Sequence, residues 1–225
     1  MTALPLLSGL TPALAGIGSS DVVRTSLILT LLAVLPAVLI SMTSFIRIVI
    51  TLSMVRHAFG MPETPPNPVL ISLALFLTAF SMSPTLGRLN ETTVGPLLAG
   101  RIGAEQALAR GSEPFRDFML AQTRDADIEA VYALSRTPLP SRPQDVDVFK
   151  LAPAFIMNEL RVSFTIGFVI LLPFLLIDLV VSAILLALGM MMVPPTTISL
   201  PIKLLMFILI DGWSLVIRGV LGSFR

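Results

Sequence analysis

The stretch Gly189-Met190-Met191-Met192-Val193-Pro194-Pro195 separates two long apolar segments that carry isolated charges, and its reading decides the fold. A helix-ending Gly stands at its start, and a Pro pair that cannot continue a helix closes it. Between them, three unbranched thioether side chains in a row give a flexible, deformable apolar surface on a short turn. Clustered methionines also fill irregular gaps in protein cores. The flanking sequence has to separate a sealing role from a packing one.

Upstream, Phe155 to Leu188 is a long apolar helical stretch interrupted at Glu159, Arg161, Pro173 and Asp178. At about 1.5 Å per residue it runs near 50 Å, far longer than a roughly 30 Å hydrocarbon core. One straight span does not fit that length. Either Pro173 divides the segment into a re-entrant pair, or much of it is buried in protein instead of lipid. Downstream, Ile198 to Leu221 forms the last apolar segment, with Lys203, Asp211, Trp213 and Arg218.

Further out, Ser26 to Met42 is uncharged and just long enough to span a membrane, with Pro36 as a kink. The apolar pattern continues past Phe45 with Arg47 embedded, then reaches Arg56, His57 and Gly60 before a Pro-punctuated turn at residues 62–68. Val69 to Met82 is a second, short candidate span closed by Ser83-Pro84. A hydropathy count therefore gives four spans. Arg47 and Arg56 place their loop in the cytoplasm by the positive-inside rule, and the segment 87–150 outside.

That segment differs in composition: from Leu86 to Lys150, eight basic residues nearly balance nine acidic ones. It reads as a small, water-facing helical insert whose charges form a solvated face. Ser112 is expected to cap a helix that begins with Glu113-Pro114. Asp127 is expected to cap the next one, which Pro138, Pro140 and Pro143 then end. The chain divides accordingly into residues 1–20, 21–86, 87–150 and 151–225. The first of these carries a short apolar run and Ala13-Leu14-Ala15-Gly16, which resembles a cleavage site without a basic region before it. It is either the remnant of a signal peptide or an uncleaved N-terminal segment.

Of the 225 residues 55% are hydrophobic and only 13% charged, with net charge +1; mean hydropathy is +0.91. An ordinary soluble domain does not have this composition, so a bilayer or a large partner must cover it. The balanced charge argues against nucleic-acid binding. With no Cys and a single His, His57, there is no basis for disulfides, Cys chemistry or a Cys/His zinc site. No Gly-rich phosphate loop, nucleophile with its base, or metal-ligand spacing occurs, so no enzyme and no cofactor is expected.

Glu159, Asp178, Lys203 and Asp211 sit among residues that would otherwise be buried, where an unpaired charge costs several kcal/mol or more. One reading is a proton or ion relay, as in an ion-coupled transporter. The other, which the sequence favours, is ion pairing between helices or subunits that fixes register. No second carboxylate or His lies at i+3 or i+4 of any of them to build a relay.

Three runs carry a family resemblance: PPNPVLISLALFLTAFSMSP from Pro65, PFRDFMLAQTRDADI from Pro114 and FLLIDLVVSAILLALGMMMVPPTTISLPIKLLMFILIDGWSLV from Phe174. They resemble the FliP/SctR family, the P-type subunits of the flagellar and type III secretion export gate. The likeness runs from about residue 30 to 222, and only the N-terminus departs from it. It implies an all-α integral membrane protein with long kinked apolar helices, localised to the bacterial inner membrane and the flagellar basal body and extending to the periplasm. It implies a homo-pentamer joined by Q-type and R-type subunits (FliQ, FliR) and by the B-type export subunit (FlhB), conducting unfolded exported proteins. On that resemblance Met190, Met191 and Met192 form a gasket at the channel constriction. Glu159 and Lys203 form an intersubunit ion pair, while Asp178 and Asp211 remain buried acids without an assigned role.

Overall fold

The computed structural model describes residues 40–224 except 61 and 62, together with Thr25, Ser26, Leu29, Thr30, Ala33 and Pro36. Those six earlier positions are helical, and the candidate span at Ser26 to Met42 lies largely outside the described residues. Residues 41–225 form one compact unit. It is all helix among the described residues: α1 Phe45–Ala58, α2 Asn67–Ser81, α3 Ser83–Leu89, α4 Gly95–Leu98, α5 Ala104–Gln122, α6 Asp125–Leu134, α7 Val148–Ala187, α8 Pro195–Leu209 and α9 Gly212–Leu221.

α7 is the spine, a single helix of 40 residues. Its start is set by Asp147, whose carboxylate accepts the N–H of Phe149 at 3.0 Å and so satisfies one of the open donors of the first turn. Its end is a Schellman stop. Gly189 takes φ +72, the N–H of Met190 reaches back to the carbonyl of Leu185 at 2.9 Å, and that of Gly189 to Leu186 at 3.1 Å. Pro153 and Pro173 both lie inside it. Pro173 does not divide the segment, contrary to one of the two expectations, because a proline removes only one ladder bond and neighbouring helices hold the chain on course.

The excess length of α7 is accounted for by two separate cores along it. Near its start Leu151, Ala154 and Phe155 pack with Met119 of α5 and with Ile128 and Tyr132 of α6. Farther along, Phe174 belongs to a second core that includes Ile48, Leu52 and Val55 of α1, Leu70 and Ala74 of α2, Phe207 of α8, and Val216 and Val220 of α9. The first turns of α7 thus belong to the polar insert and the remainder to the apolar bundle. Among the described residues, α7 alone is long and apolar enough to cross a membrane. The bent pairs α2 with α3–α4 (61°) and α8 with α9 (67°) raise the number to three if each counts as one span.

The insert differs locally from the sequence reading. α5 begins at Ala104, so Ser112 lies inside it and donates to the carbonyl of Ala109 at 2.9 Å instead of capping a helix. Pro114 is accommodated in mid-helix. Asp127 lies in the first turn of α6, buried, where it accepts both arms of Arg161 at 2.6 and 2.9 Å and the Nε of Arg124 at 3.2 Å. After Ser83-Pro84 the chain stays helical through α3, a π turn at Asn90–Val94 and α4, so the helical path of the second span extends to Leu98.

Candidate functional site

The Schellman stop and the Pro194-Pro195 start of α8 leave Met190 to Val193 as a short, sharply bounded turn. Its methionines point away from the chain: Met190 is 43% exposed, Met191 80% and Met192 95%. They fill no gap in the core of this chain. Exposed apolar side chains continue beside the turn, with Leu186 on α7, Leu188 just past its end, and Ile198 and Ile202 on α8. An apolar patch of this extent marks a surface that another molecule covers.

Three of the four charges singled out in the apolar segments, Glu159, Asp178 and Lys203, find ionic partners within the chain. Glu159 is fully buried, and both its oxygens accept from Arg47, through Nε at 2.8 Å and through Nη2. The same guanidinium gives Nη1 to the carbonyl and hydroxyl of Ser223 at 2.8 and 3.0 Å and Nη2 to Gln122 at 3.3 Å. It also lies 4.0 Å from the ring centre of Phe224. All five N–H donors of the guanidinium are therefore used. Beside it Asn158 donates to the carbonyl of Gln122 at 2.6 Å. This polar node lies between the two cores and joins α1, α5, α7 and the segment after α9. The sequence marks Arg47 as an embedded charge; it does not show that residues 112 positions apart meet.

Lys203 of α8, nearly buried, donates to Asp178 of α7 at 2.6 Å. Within the chain, then, Glu159 pairs with Arg47 and Lys203 with Asp178. The two acids expected to be buried without a role differ from each other. Asp178 is about one-third exposed and is the partner of Lys203, whereas Asp211 is exposed. Asp211 occupies the left-handed region at φ 51 as the residue that turns α8 into α9. A short polar side chain is among the few non-glycine types that tolerate this conformation, which explains an acid at this point in an apolar run. Among the described residues no three His, Cys, Asp or Glu side chains gather as a metal site.

The geometry is thus a stiff apolar helix, a deformable exposed methionine turn at its end, and charges held in pairs. Comparison with known proteins gives the same picture a family. The model of the FliP family matches residues 28–220. The flagellar biosynthetic protein FliP of Pectobacterium carotovorum subsp. carotovorum is 50% identical over 202 residues, covering 90% of this chain and 78% of that protein. The protein of the same name from Buchnera aphidicola subsp. Acyrthosiphon pisum (strain APS) is 46% identical over 222 residues, 97% of this chain but 59% of that one. The one from Bacillus subtilis (strain 168) is 43% identical over 205 residues, 91% and 93% of the two chains.

Proposed function

This chain belongs to the FliP family, and we propose that it is a channel-forming subunit of a flagellar-type protein export gate in the bacterial inner membrane. Identical copies, five on the family resemblance, surround a passage for unfolded proteins, and Met190, Met191 and Met192 close it. The observation that carries this reading is the exposure of all three methionines on a turn anchored at both ends. In a ring each is repeated around the axis, so weak thioether contacts add up to a dry constriction. Three rotatable bonds let each side chain move aside for a polypeptide and close behind it. An ion relay is poorly served by Glu159, since both its oxygens are occupied by an Arg that does not deprotonate.

Replacing all three methionines by Ala tests the proposal. Because the side chains fill no core in the chain, folded protein and assembly with FliQ and FliR are expected to persist, with increased passage of small ions when the complex is overproduced. Methionines that pack a core would instead cost roughly 2–5 kcal/mol each on truncation. Loss of stable complex without any ion leak refutes the seal.

A further inference from the structure

α8 is fully buried only along one narrow row, with Leu204 and Met206 packed beside it near the elbow. Its buried residues are Ser199, Lys203 and Phe207, one per turn. Apolar or mixed crevices open on several sides of it. One of about 450 Å³ lies at the elbow with α9, between Phe207, Ile210 and Gly212 and the stretch of α7 around Pro173. Another of about 290 Å³ separates Ile202 from Leu176 to Ile184 of α7. A third of about 280 Å³ lies beside Thr196, Ser199 and Lys203, with Phe59 and Gly60 opposite.

The two ends of α8 are held very differently. At the elbow the ring of Phe207 lies 4.7 Å from that of Phe59 and 5.5 Å from that of Trp213, centre to centre. Gly212 presses so close that an added Cβ would come within 2.1 Å of the Phe207 ring. At the other end Thr196, Thr197 and Ile198 are exposed and the methionine turn follows. Between them stands the Lys203–Asp178 pair, in which Asp178 is partly open to solvent.

We propose that α8 is a swinging arm with its pivot at Phe207–Gly212, its catch at Lys203–Asp178 and the methionine turn as the link that joins its moving end to α7. Pro195 lies twelve residues from the pivot, about 18 Å, and Lys203 four residues, about 6 Å. A tilt of about 10° carries the turn about 3 Å and stretches the catch by about 1 Å. With the buried Lys203 side chain keeping its conformation, that takes a 2.6 Å bond to about 3.6 Å, beyond hydrogen-bonding distance. Displacement of the turn and breaking of the catch are therefore one event, and the crevices provide the room for it. The arm adds a motion to the seal proposed above, and its test reads side-chain exposure instead of transport.

The chain has no Cys, so Val181→Cys, at a buried site of α7 that lines the crevice facing Ile202, reports on the arm in native membranes through its rate of reaction with N-ethylmaleimide. Val55→Cys, from a fully buried site of α1, reports on the bundle. Asp178→Asn is expected to speed labelling at 181 by about tenfold, from the loss of a charge-assisted bond, and to leave 55 protected. Gly219→Phe, which fills the elbow crevice from a position where an added Cβ meets nothing within 4 Å, is expected to return the Asp178→Asn rate toward that of the parent. An unchanged rate at 181 overturns the arm. So does a parallel rise at 55, which means that the whole bundle has loosened. A faster rate at 181 in a chain whose triple-Ala variant shows no ion leak keeps the arm and removes the seal.

Discussion

Arg47→Met tests whether the polar node between the two cores holds the fold together. The substitution keeps an unbranched apolar stem and deletes the guanidinium, leaving the carboxylate of Glu159 fully buried with no charged partner. Breaking one side of a buried pair costs about 3–5 kcal/mol. The lost contact with the Phe224 ring adds about 0.5–2 kcal/mol. For a chain of this size the sum corresponds to a fall in Tm on the order of 10 °C or more, measured on detergent-solubilised protein by intrinsic fluorescence or by retention of a monodisperse peak after heating. Arg47→Met with Glu159→Leu removes both charges and is expected to recover most of the loss, since an apolar replacement of a whole buried pair is often neutral. Lys203→Gln provides the contrast. Its partner Asp178 is about one-third open to solvent, so its removal is expected to cost closer to 1 kcal/mol. If Arg47→Met is as stable as the parent, or if the double variant is no better than the single one, Glu159 does not depend on Arg47 and the node is not a fold determinant.

Other perturbations reach different parts of the chain. Gly167→Ala places a Cβ within 2.2 Å of the Met54 Sδ where α1 and α7 cross, so it is expected to cost about 1–3 kcal/mol by overpacking, and adding Met54→Ala is expected to relieve part of that cost in the same thermal assay. Single cysteines at the exposed Glu113 and Ser135 of the insert are expected to react with a membrane-impermeant thiol reagent supplied from the periplasmic side. Labelling of both only after the inner membrane is broken reverses the orientation inferred from Arg47 and Arg56.

What the sequence made legible was local. Periodicity and the Gly and Pro punctuation around the methionines located α7, the turn and α8, because a Schellman glycine and a proline pair act on their own residues. Punctuation misled where long-range packing overrode it. Pro114 read as a boundary and Pro173 as one on one of two readings, but both lie inside helices, and Ser112 read as a cap but bonds back within α5. The pairings were the least legible part. Glu159, Asp178 and Lys203 stood out as charges in need of partners, but Arg47 meets Glu159 across 112 positions, and Lys203 meets Asp178 through the way α8 folds back on α7. No spacing rule relates them. Asp211 read as one more buried acid, and only its backbone angle identifies it as the corner residue of the elbow.

In one chain the methionine turn encloses nothing, since Met192 at 95% exposure has almost no neighbour. On the proposed reading any constriction is made between copies, and its energetics scale with their number. Burying a methionine side chain is worth about 1.5–3 kcal/mol, so three per copy give about 5–9 kcal/mol, and a ring of five about 25–45 kcal/mol at full burial. A seal of that strength would not open by thermal motion against the bilayer's other constraints. It opens readily if what enters supplies replacement contacts. An unfolded polypeptide brings its own side chains to the thioethers one segment at a time, so few methionines lose contact at any moment, whereas an ion or a water molecule brings none. On the proposed reading the same row of flexible apolar groups would thereby pass a chain and exclude small solutes, without needing a charge to tell them apart.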